Sequence, residues 1–287
     1  MEQSHVPSPT IAIAFGGGGA RGIAHIHVIE ALDELGITPV MIAGSSIGAI
    51  MGAGMAAGMA GAEIREFVLA TVGNRREVMN RLWSLRPSSI QEMVSGGFRV
   101  GHYNLERILK AFLPEAVPET FDGLKIPLTV TATDYYGQRE VSIHSGDLFK
   151  ALAASAAIPA VFMPVKLDGR VMIDGGIFNP VPFDHLVGKA DIVVGVDVVG
   201  GPEGDEQQIP NRIDSLFGAS QLMMQSINAE KLHRHSPDIF LKPAIGKFKV
   251  LDFLRAAEVL ESSAAIKDEF KRALEAQIEL RSRTLIR

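Results

Sequence analysis

The sequence predicts an α/β fold with three layers, in which a mostly parallel central sheet is flanked by helices. Short, fully apolar runs alternate along the chain with segments whose apolar residues recur at helical spacing. Strands that are covered on both faces lose the alternation of polar and apolar residues, so these runs indicate a buried parallel sheet. The chain is also 47% hydrophobic and 21% charged, a balance typical of globular proteins.

The first part of the chain twice repeats a strand, a tight turn and a helix. An apolar run over 11–15 ends in four glycines, and apolar residues at helical spacing follow over 23–35. A second apolar run over 38–43 leads through a glycine-containing turn to a small-residue helix over 49–59. Repeated units of this kind place helices over a parallel sheet.

The later segments continue the pattern. We expect strands at 126–133, 171–173 and 192–199, where β-branched and other apolar residues cluster. A small-residue helix is predicted over 147–157 and ends before Pro159, because a proline disfavours helical conformation in the preceding residue. The sheet therefore has at least five strands, and the chain is expected to be mainly helical over 213–287.

Two segments do not follow the alternation of strands and helices. The first, 73–110, holds Trp83, the only tryptophan, and is expected to be a lid that contacts an anionic lipid surface or, alternatively, an exposed helical insertion. The second, 200–212, is poor in apolar residues and rich in turn formers, and is predicted to be a mobile loop. The first segment carries seven basic residues (Arg75, Arg76, Arg81, Arg86, Arg99, Arg107, Lys110) against three acidic ones (Glu77, Glu92, Glu106).

The domain organisation is predicted to be simple. Residues 1–10 lack the pattern of a signal peptide and are expected to be a disordered lead-in. Residues 11–287 are expected to form a single domain. The uncharged stretch 37–62 is rich in glycine, alanine and serine and is interrupted by Pro39, so it is predicted to be a buried strand and helix rather than a membrane span.

Charge and cysteine content exclude several functions. With 28 Lys plus Arg against 33 Asp plus Glu, the net charge is -5, which gives no basic field for binding nucleic acid. The absence of cysteine excludes disulfides, thiolate metal sites and a cysteine nucleophile, and fits a reducing compartment. We expect a cytoplasmic protein with peripheral contact to the inner membrane, and the sequence gives no oligomeric state.

The first motif is a glycine-rich loop, GGGGARG over 16–22, between a predicted strand and helix. Backbone amides in such a loop approach a phosphate or an oxyanion closely. The loop also matches G-x-G-x-x-G, but a dinucleotide site needs an acidic residue after the second strand, where Gly44 stands instead. Asp33 and Glu34 lie on or at the end of the first helix, and no P-loop lysine follows the glycines.

The second motif is G-x-S-x-G, formed by Gly44, Ser46 and Gly48 between a strand and a helix. A serine on such a turn has its hydroxyl pushed out of the sheet, and the flanking glycines let strand and helix approach closely. The motif predicts a nucleophile elbow. The alternative is that the glycines only permit close helix packing.

The third motif is Asp174-Gly175-Gly176, directly after an apolar run. Its carboxylate can act as the base that a serine hydroxyl needs. A Ser-Asp-His order with His185, His233 or His235 stays open as an alternative. We expect no metal site, because the pair His233 and His235 has no third ligand nearby. The remaining histidines are His5, His25, His27, His102 and His144.

Together, the ordered motifs GGGxRG, GxSxG and DGG resemble those of the patatin-like phospholipases. The resemblance covers 11–199 and includes 154–159 and 162–165, which are similar to the helix and strand before the family's aspartate. It implies a patatin-like fold with Ser46 as the nucleophile and Asp174 as its base, in a dyad without histidine. It also implies oxyanion-hole amides at Gly17, Gly18 and Gly19, with supporting positions at Arg21, Gly22, Gly44, Gly48, Gly175 and Gly176.

The activity implied by this resemblance is hydrolysis of lipid acyl esters through an acyl-enzyme, without a metal or organic cofactor. The expected partner is a lipid ester substrate. Two other functions remain open at this stage. A lipid-binding or scaffolding protein would keep the fold without turnover, and a dinucleotide-dependent oxidoreductase would bind NAD or NADP.

Overall fold

The computed structural model describes residues 8–84, 105–203 and 207–285, and shows a sheet with helices on both faces. Its strand order is β5-β6-β3-β2-β1-β7-β8, and β4 pairs with β3. Strands β3, β2, β1, β7 and β8 are parallel, whereas β4, β5 and β6 pair antiparallel with their neighbours. The strands are β1 (Ile11–Phe15), β2 (Met41–Ser45), β3 (Leu128–Asp134), β4 (Arg139–Ile143), β5 (Val165–Leu167), β6 (Arg170–Asp174), β7 (Ile192–Val196) and β8 (Ile239–Leu241).

The two faces of the sheet pack against separate apolar cores. Strand β1 turns Ile13 and Phe15 toward the larger apolar core and Ala12 and Ala14 toward the smaller one. The helices are α1 (His25–Glu34), α2 (Ile47–Ala56), α3 (Gly61–Ala70), α4 (Arg75–Ser84), α5 (Leu105–Phe112), α6 (Leu148–Ser155), α7 (Arg212–Arg234), α8 (Ala256–Ser263) and α9 (Ala265–Leu285).

The predicted fold class is confirmed, and three strands were missed. Strand β4 has no fully buried residue, and β5 and β8 have three residues each, so none of them forms a long apolar run. The predicted lead-in over 1–10 lies largely outside the described residues. Of 73–110, the structure describes α4 and the start of α5, and the part of 200–212 that it describes before α7 contains no helix or strand.

The antiparallel strands bring two strand ends together. Strand β4 occupies one edge of β3 from Val130 to Asp134. Strands β2 and β6 must therefore share the other edge, where Ser45 pairs with Thr131 and Asp174 with Ala132. Because β2 runs parallel to β3 and β6 runs antiparallel, their carboxyl ends meet head to head. The residues that follow β2 and end β6 are thus brought into contact.

Within the described residues, no helix combines the length and the apolarity that a membrane crossing requires.

Candidate active site

Ser46 stands on a sharp turn between β2 and α2. Its backbone has φ 54° and ψ -125°, a strained conformation that a residue other than glycine rarely adopts. The turn is packed so closely that a Cβ on Gly48 would lie 2.1 Å from the carbonyl oxygen of Phe15. The buried Ser46 N–H donates to the hydroxyl oxygen of Ser155 at 2.7 Å. Close packing and this hydrogen bond hold the elbow in its strained form.

The Asp174 carboxylate accepts a hydrogen bond from the Ser46 hydroxyl. The Ser46 Oγ donates to Oδ2 of Asp174 at 2.6 Å, and the N–H of Gly176 donates to Oδ1 at 2.8 Å. A Cβ on Gly175 would lie 2.1 Å from the carbonyl oxygen of Thr131, so only glycine fits between Asp174 and β3. One carboxylate oxygen is thereby oriented by the backbone while the other faces the serine.

Burial raises the pKa of Asp174 to about 6, and the hydrogen bonds from Ser46 and Gly176 oppose this rise. Both Asp174 and Ser46 are less than 5% exposed. A carboxylate with a raised pKa accepts a proton from an alcohol more readily than an ordinary one. The pair can therefore act as base and nucleophile at neutral pH.

Gly18 and Gly19 of the glycine loop line the smaller of two cavities together with Ser46. The N–H of Gly17 donates to the carbonyl oxygen of Pro180 at 2.9 Å, and that of Ala20 donates to Val250 at 2.8 Å. The amides of Gly18 and Gly19 have no hydrogen-bond acceptor within the described parts of the chain. The Gly17 amide already donates to Pro180. Gly18 and Gly19 therefore remain as the candidate oxyanion donors.

Arg21 lies behind this loop and is almost fully buried. Its Nε donates to the carbonyl oxygen of Gly18 at 3.2 Å. Gln221 of α7 faces the guanidinium and, with its amide oxygen turned toward Arg21, accepts from both terminal nitrogens. Burial lowers the pKa of Arg21 to about 10 while Asp197, mainly, opposes this fall, so the side chain stays charged at neutral pH. Arg21 thus ties the glycine loop to α7.

Two cavities meet at Ser46. The larger, of about 470 Å³, is lined almost entirely by apolar side chains from α2, α3, α4 and α5 and from 251–254. The smaller, of about 110 Å³, lies on the α7 side and is lined by Arg21, Asp174 and Gln221 among others. An ester placed at Ser46 would have a cavity on each side for its two halves, and the surface of each cavity is mainly apolar.

The histidines lie elsewhere. The Nε2 of His25 contacts the carbonyl oxygen of Gly16, and His185 contacts Glu140 at 2.5 Å. His233 and His235 lie at the end of α7 and are exposed. In the described ranges, the side-chain hydrogen bonds of Ser46 and Asp174 include no histidine, so the structure does not assemble the alternative Ser-Asp-His order.

One cluster outside the site has the donor types of a metal site, namely Glu140, Asp184 and His185. The Lys231 ammonium donates to Asp184 and to the carbonyl oxygen of Val181. The Lys231 ammonium thus supplies, next to the carboxylates, the positive charge that a metal ion would otherwise provide. It ties α7 to the segment that follows Asp174, and we assign it a structural role.

Three residues of the site carry no recognisable motif. Ser155 holds the elbow, Gln221 holds Arg21, and Val250 supports the glycine loop. Ser155 falls within 154–159, which the family resemblance covers without giving this serine a role. Gln221 and Val250 reach the site by tertiary packing, and nothing in their neighbouring sequence indicates it.

This chain is similar to several known proteins. The profile of the family described as patatin-like phospholipase matches residues 13–187, which include all three motifs. An uncharacterized NTE family protein of Mycobacterium tuberculosis is 39% identical over 198 residues, covering 69% of this chain and 51% of that protein. Lysophospholipase NTE1 of Yarrowia lipolytica is 26% identical over 281 residues, covering 87% of this chain and 18% of that protein.

The chain therefore spans about half the length of its mycobacterial relatives. Among solved structures, VipD from Legionella pneumophila superposes with a TM-score of 0.51 at 16% identity, covering 94% of this chain and 67% of that one. At this identity the likeness shows a common fold. Because the family profile spans more than half of the chain and contains the glycine loop, the elbow and the aspartate, the chain belongs to the patatin-like phospholipase family.

Proposed function

We propose that the protein is a serine acyl hydrolase that cleaves lipid carboxylic esters through Ser46 and Asp174. The observation that carries the proposal is the 2.6 Å hydrogen bond from the Ser46 hydroxyl to a buried carboxylate. Two features support it. The Gly18 and Gly19 amides are available beside the serine, and an apolar cavity opens onto it.

In the first step, the Ser46 Oγ attacks the ester carbonyl carbon while its proton moves to Oδ2 of Asp174. The amides of Gly18 and Gly19 stabilise the oxyanion that forms. The tetrahedral intermediate collapses as the bond to the alcohol oxygen breaks. The alcohol leaves with the proton from Asp174, and an acyl group remains on Ser46.

In the second step, Asp174 takes a proton from water, whose oxygen attacks the acyl carbon. The same amides stabilise the second oxyanion. The bond to the Ser46 Oγ then breaks, and the serine recovers its proton from Asp174. The fatty acid leaves, and the site returns to its starting state.

The cavities favour a substrate with one acyl chain. The larger cavity places a single apolar chain between α2, α3 and α5, whereas the smaller one holds the alcohol half between the glycine loop and α7. Some relatives are named lysophospholipases, and a lysophospholipid has one acyl chain. We therefore propose lysophospholipids and related single-chain esters as substrates. We also propose that 73–110 acts as a lid, since α4 and α5 form part of the cavity wall.

The depth of the larger cavity is testable at Gly54, which lies on α2 and lines it. We expect Gly54→Leu to lower kcat/KM for palmitoyl esters about tenfold relative to butyryl esters, because the added side chain takes the space of several methylenes. The measurement is hydrolysis of a series of lysophosphatidylcholines and short-chain esters by both proteins.

Gly54→Ala is the matched control, because its Cβ would meet only Ile64 and Met59 at ordinary contact distances, the nearest at 3.4 Å. It should keep the wild-type preference. Equal losses on short and long chains in Gly54→Leu would place the acyl chain elsewhere. If the wild type hydrolyses none of these esters, the result favours the alternative of a lipid-binding scaffold.

A further inference from the structure

Five large apolar side chains form an exposed surface beside the site, which we call the apolar rim. It consists of Ile209, Ile213, Leu216, Leu251 and Leu254, and each member is between 49% and 95% exposed. Exposed apolar side chains gathered in one place commonly mark an interaction surface. The rim lies wholly beyond residue 187, where the match to the family profile ends.

The two parts of the rim are neighbours in space. Residues 213 and 216 lie one helical turn apart on α7, and 209 comes just before that helix. The Nζ of Lys249 donates to both carboxylate oxygens of Asp214 at 2.9 Å. This ion pair joins the start of α7 to the segment that carries Leu251 and Leu254.

The rim is continuous with the openings of both cavities. Leu251 and Leu254 line the larger cavity, and Leu216 lines the smaller one. A lipid that entered either cavity would pass these side chains. The same half-exposed residues therefore belong to the surface and to the paths that lead to Ser46.

The rim is also fixed with respect to the catalytic groups. Val250, beside Leu251, accepts the N–H of Ala20 at 2.8 Å. A Cβ on Gly19 would lie 2.2 Å from the same carbonyl oxygen. The segment that exposes the leucines is thus packed directly against the proposed oxyanion loop.

We propose that the apolar rim docks onto the surface of a lipid aggregate and presents the cavity openings to it. The proposal rests on the proposed function, because a lipid ester is the substrate that these openings would receive. Two cations next to the rim are paired within the chain, Lys249 with Asp214 and Arg255 with Glu258 and Asp252. A zwitterionic surface therefore fits the rim better than an anionic one, which favours phosphatidylcholine as the docking lipid.

The test is co-sedimentation with phosphatidylcholine vesicles, using Ser46→Ala protein so that no lipid is consumed. Adding Ile209→Glu and Ile213→Glu should weaken vesicle binding about tenfold or more, since two apolar side chains that enter the lipid are replaced by charged ones. Neither residue lines a cavity. In the Ser46-containing protein, the double variant should keep its kcat on a water-soluble butyryl ester.

The matched control is Val40→Glu with Val187→Glu, which are 42% and 45% exposed. They precede the parallel strands β2 and β7, whereas Ser46 follows the carboxyl end of β2. The control should bind vesicles like the parent protein. Equal binding by the rim variant and its control would overturn the docking proposal, even if ester hydrolysis is found.

Two further outcomes separate the alternatives. If the wild type is a dimer in sedimentation velocity and the rim variant is a monomer, the rim is an interface between two copies, and the lipid proposal is wrong. If vesicles bind through the rim but no ester is hydrolysed, the docking surface stands and the proposed catalytic function fails.

Discussion

Asp174→Asn is expected to lower kcat for ester hydrolysis by roughly 10²-fold to 10⁴-fold, the usual range for loss of a general base. Asparagine has nearly the same shape and can still accept the Gly176 N–H that orients Oδ1 of Asp174. What it cannot do is take the proton from the Ser46 hydroxyl. The loss should therefore appear in kcat, with little change in the binding of a non-hydrolysable lysophospholipid ether.

The same variant should be more stable than the wild type at neutral pH. The pKa of Asp174 is raised from 3.8 to about 6 by burial, so between these values the folded protein holds a proton that the unfolded protein has lost. Stability therefore falls as pH rises through this window, by on the order of 3 kcal/mol in total. Asparagine, which does not ionise, avoids this loss.

Urea unfolding at pH 4 and pH 7.5 measures the difference. The variant should exceed the wild type in free energy of unfolding at pH 7.5, and the gap should shrink toward pH 4.

The wild-type kcat/KM should also decline as pH falls through about 6, because Asp174 becomes protonated. An active Asp174→Asn protein, or one less stable than the wild type at pH 7.5, would contradict the assignment of Asp174 as a buried base.

Gly19→Ala is expected to lower kcat by roughly 10²-fold to 10³-fold, as loss of an oxyanion donor does in other hydrolases. Gly19 has φ +61°, and its Cβ would lie 2.2 Å from the carbonyl oxygen of Val250. Because that oxygen belongs to backbone and accepts the Ala20 N–H, the glycine loop must shift. The shift moves the Gly18 and Gly19 amides away from Ser46.

Gly36→Ala is the control for Gly19→Ala, because it introduces the same left-handed backbone strain without the steric clash. Gly36 follows α1 with φ +66°, but a Cβ there would meet nothing within 4 Å. Both variants should lose roughly 1 kcal/mol of stability from the left-handed backbone, which thermal unfolding would measure. Only Gly19→Ala should lose kcat. If it retains kcat within about threefold of the Gly36→Ala protein, the loop does not hold the oxyanion.

The positions of Ser46 and Asp174 could be predicted from the sequence because each follows or ends a short apolar run. Parallel strands collect their functional residues at one edge of a sheet. The head-to-head meeting of β2 and β6 on β3 could not be predicted, since it depends on β4 taking the opposite edge. Strand β4 is half-exposed, so it gave no apolar run.

Other features of the site could not be predicted because they depend on tertiary packing. Nothing in the sequence separates Gly17 from Gly18 and Gly19 as an oxyanion donor, whereas in the fold the Pro180 carbonyl accepts the Gly17 N–H. Gln221 and Val250 lie about 200 residues or more from the glycine loop along the chain and contact it only through the fold. The last third of the chain carries no motif, yet it supplies the wall of both cavities on one side.

The most direct test of the central claim is intact-mass analysis after exposure to a fluorophosphonate. It should be run on the wild type, on Ser46→Ala and on a control variant, Ser45→Ala. The control removes the buried hydroxyl of the serine next to Ser46. We expect one adduct on the wild type and on Ser45→Ala, mapped to Ser46 by peptide analysis, and none on Ser46→Ala, which should also lose ester hydrolysis. Labelling or hydrolysis that persists in Ser46→Ala would contradict Ser46 as the nucleophile.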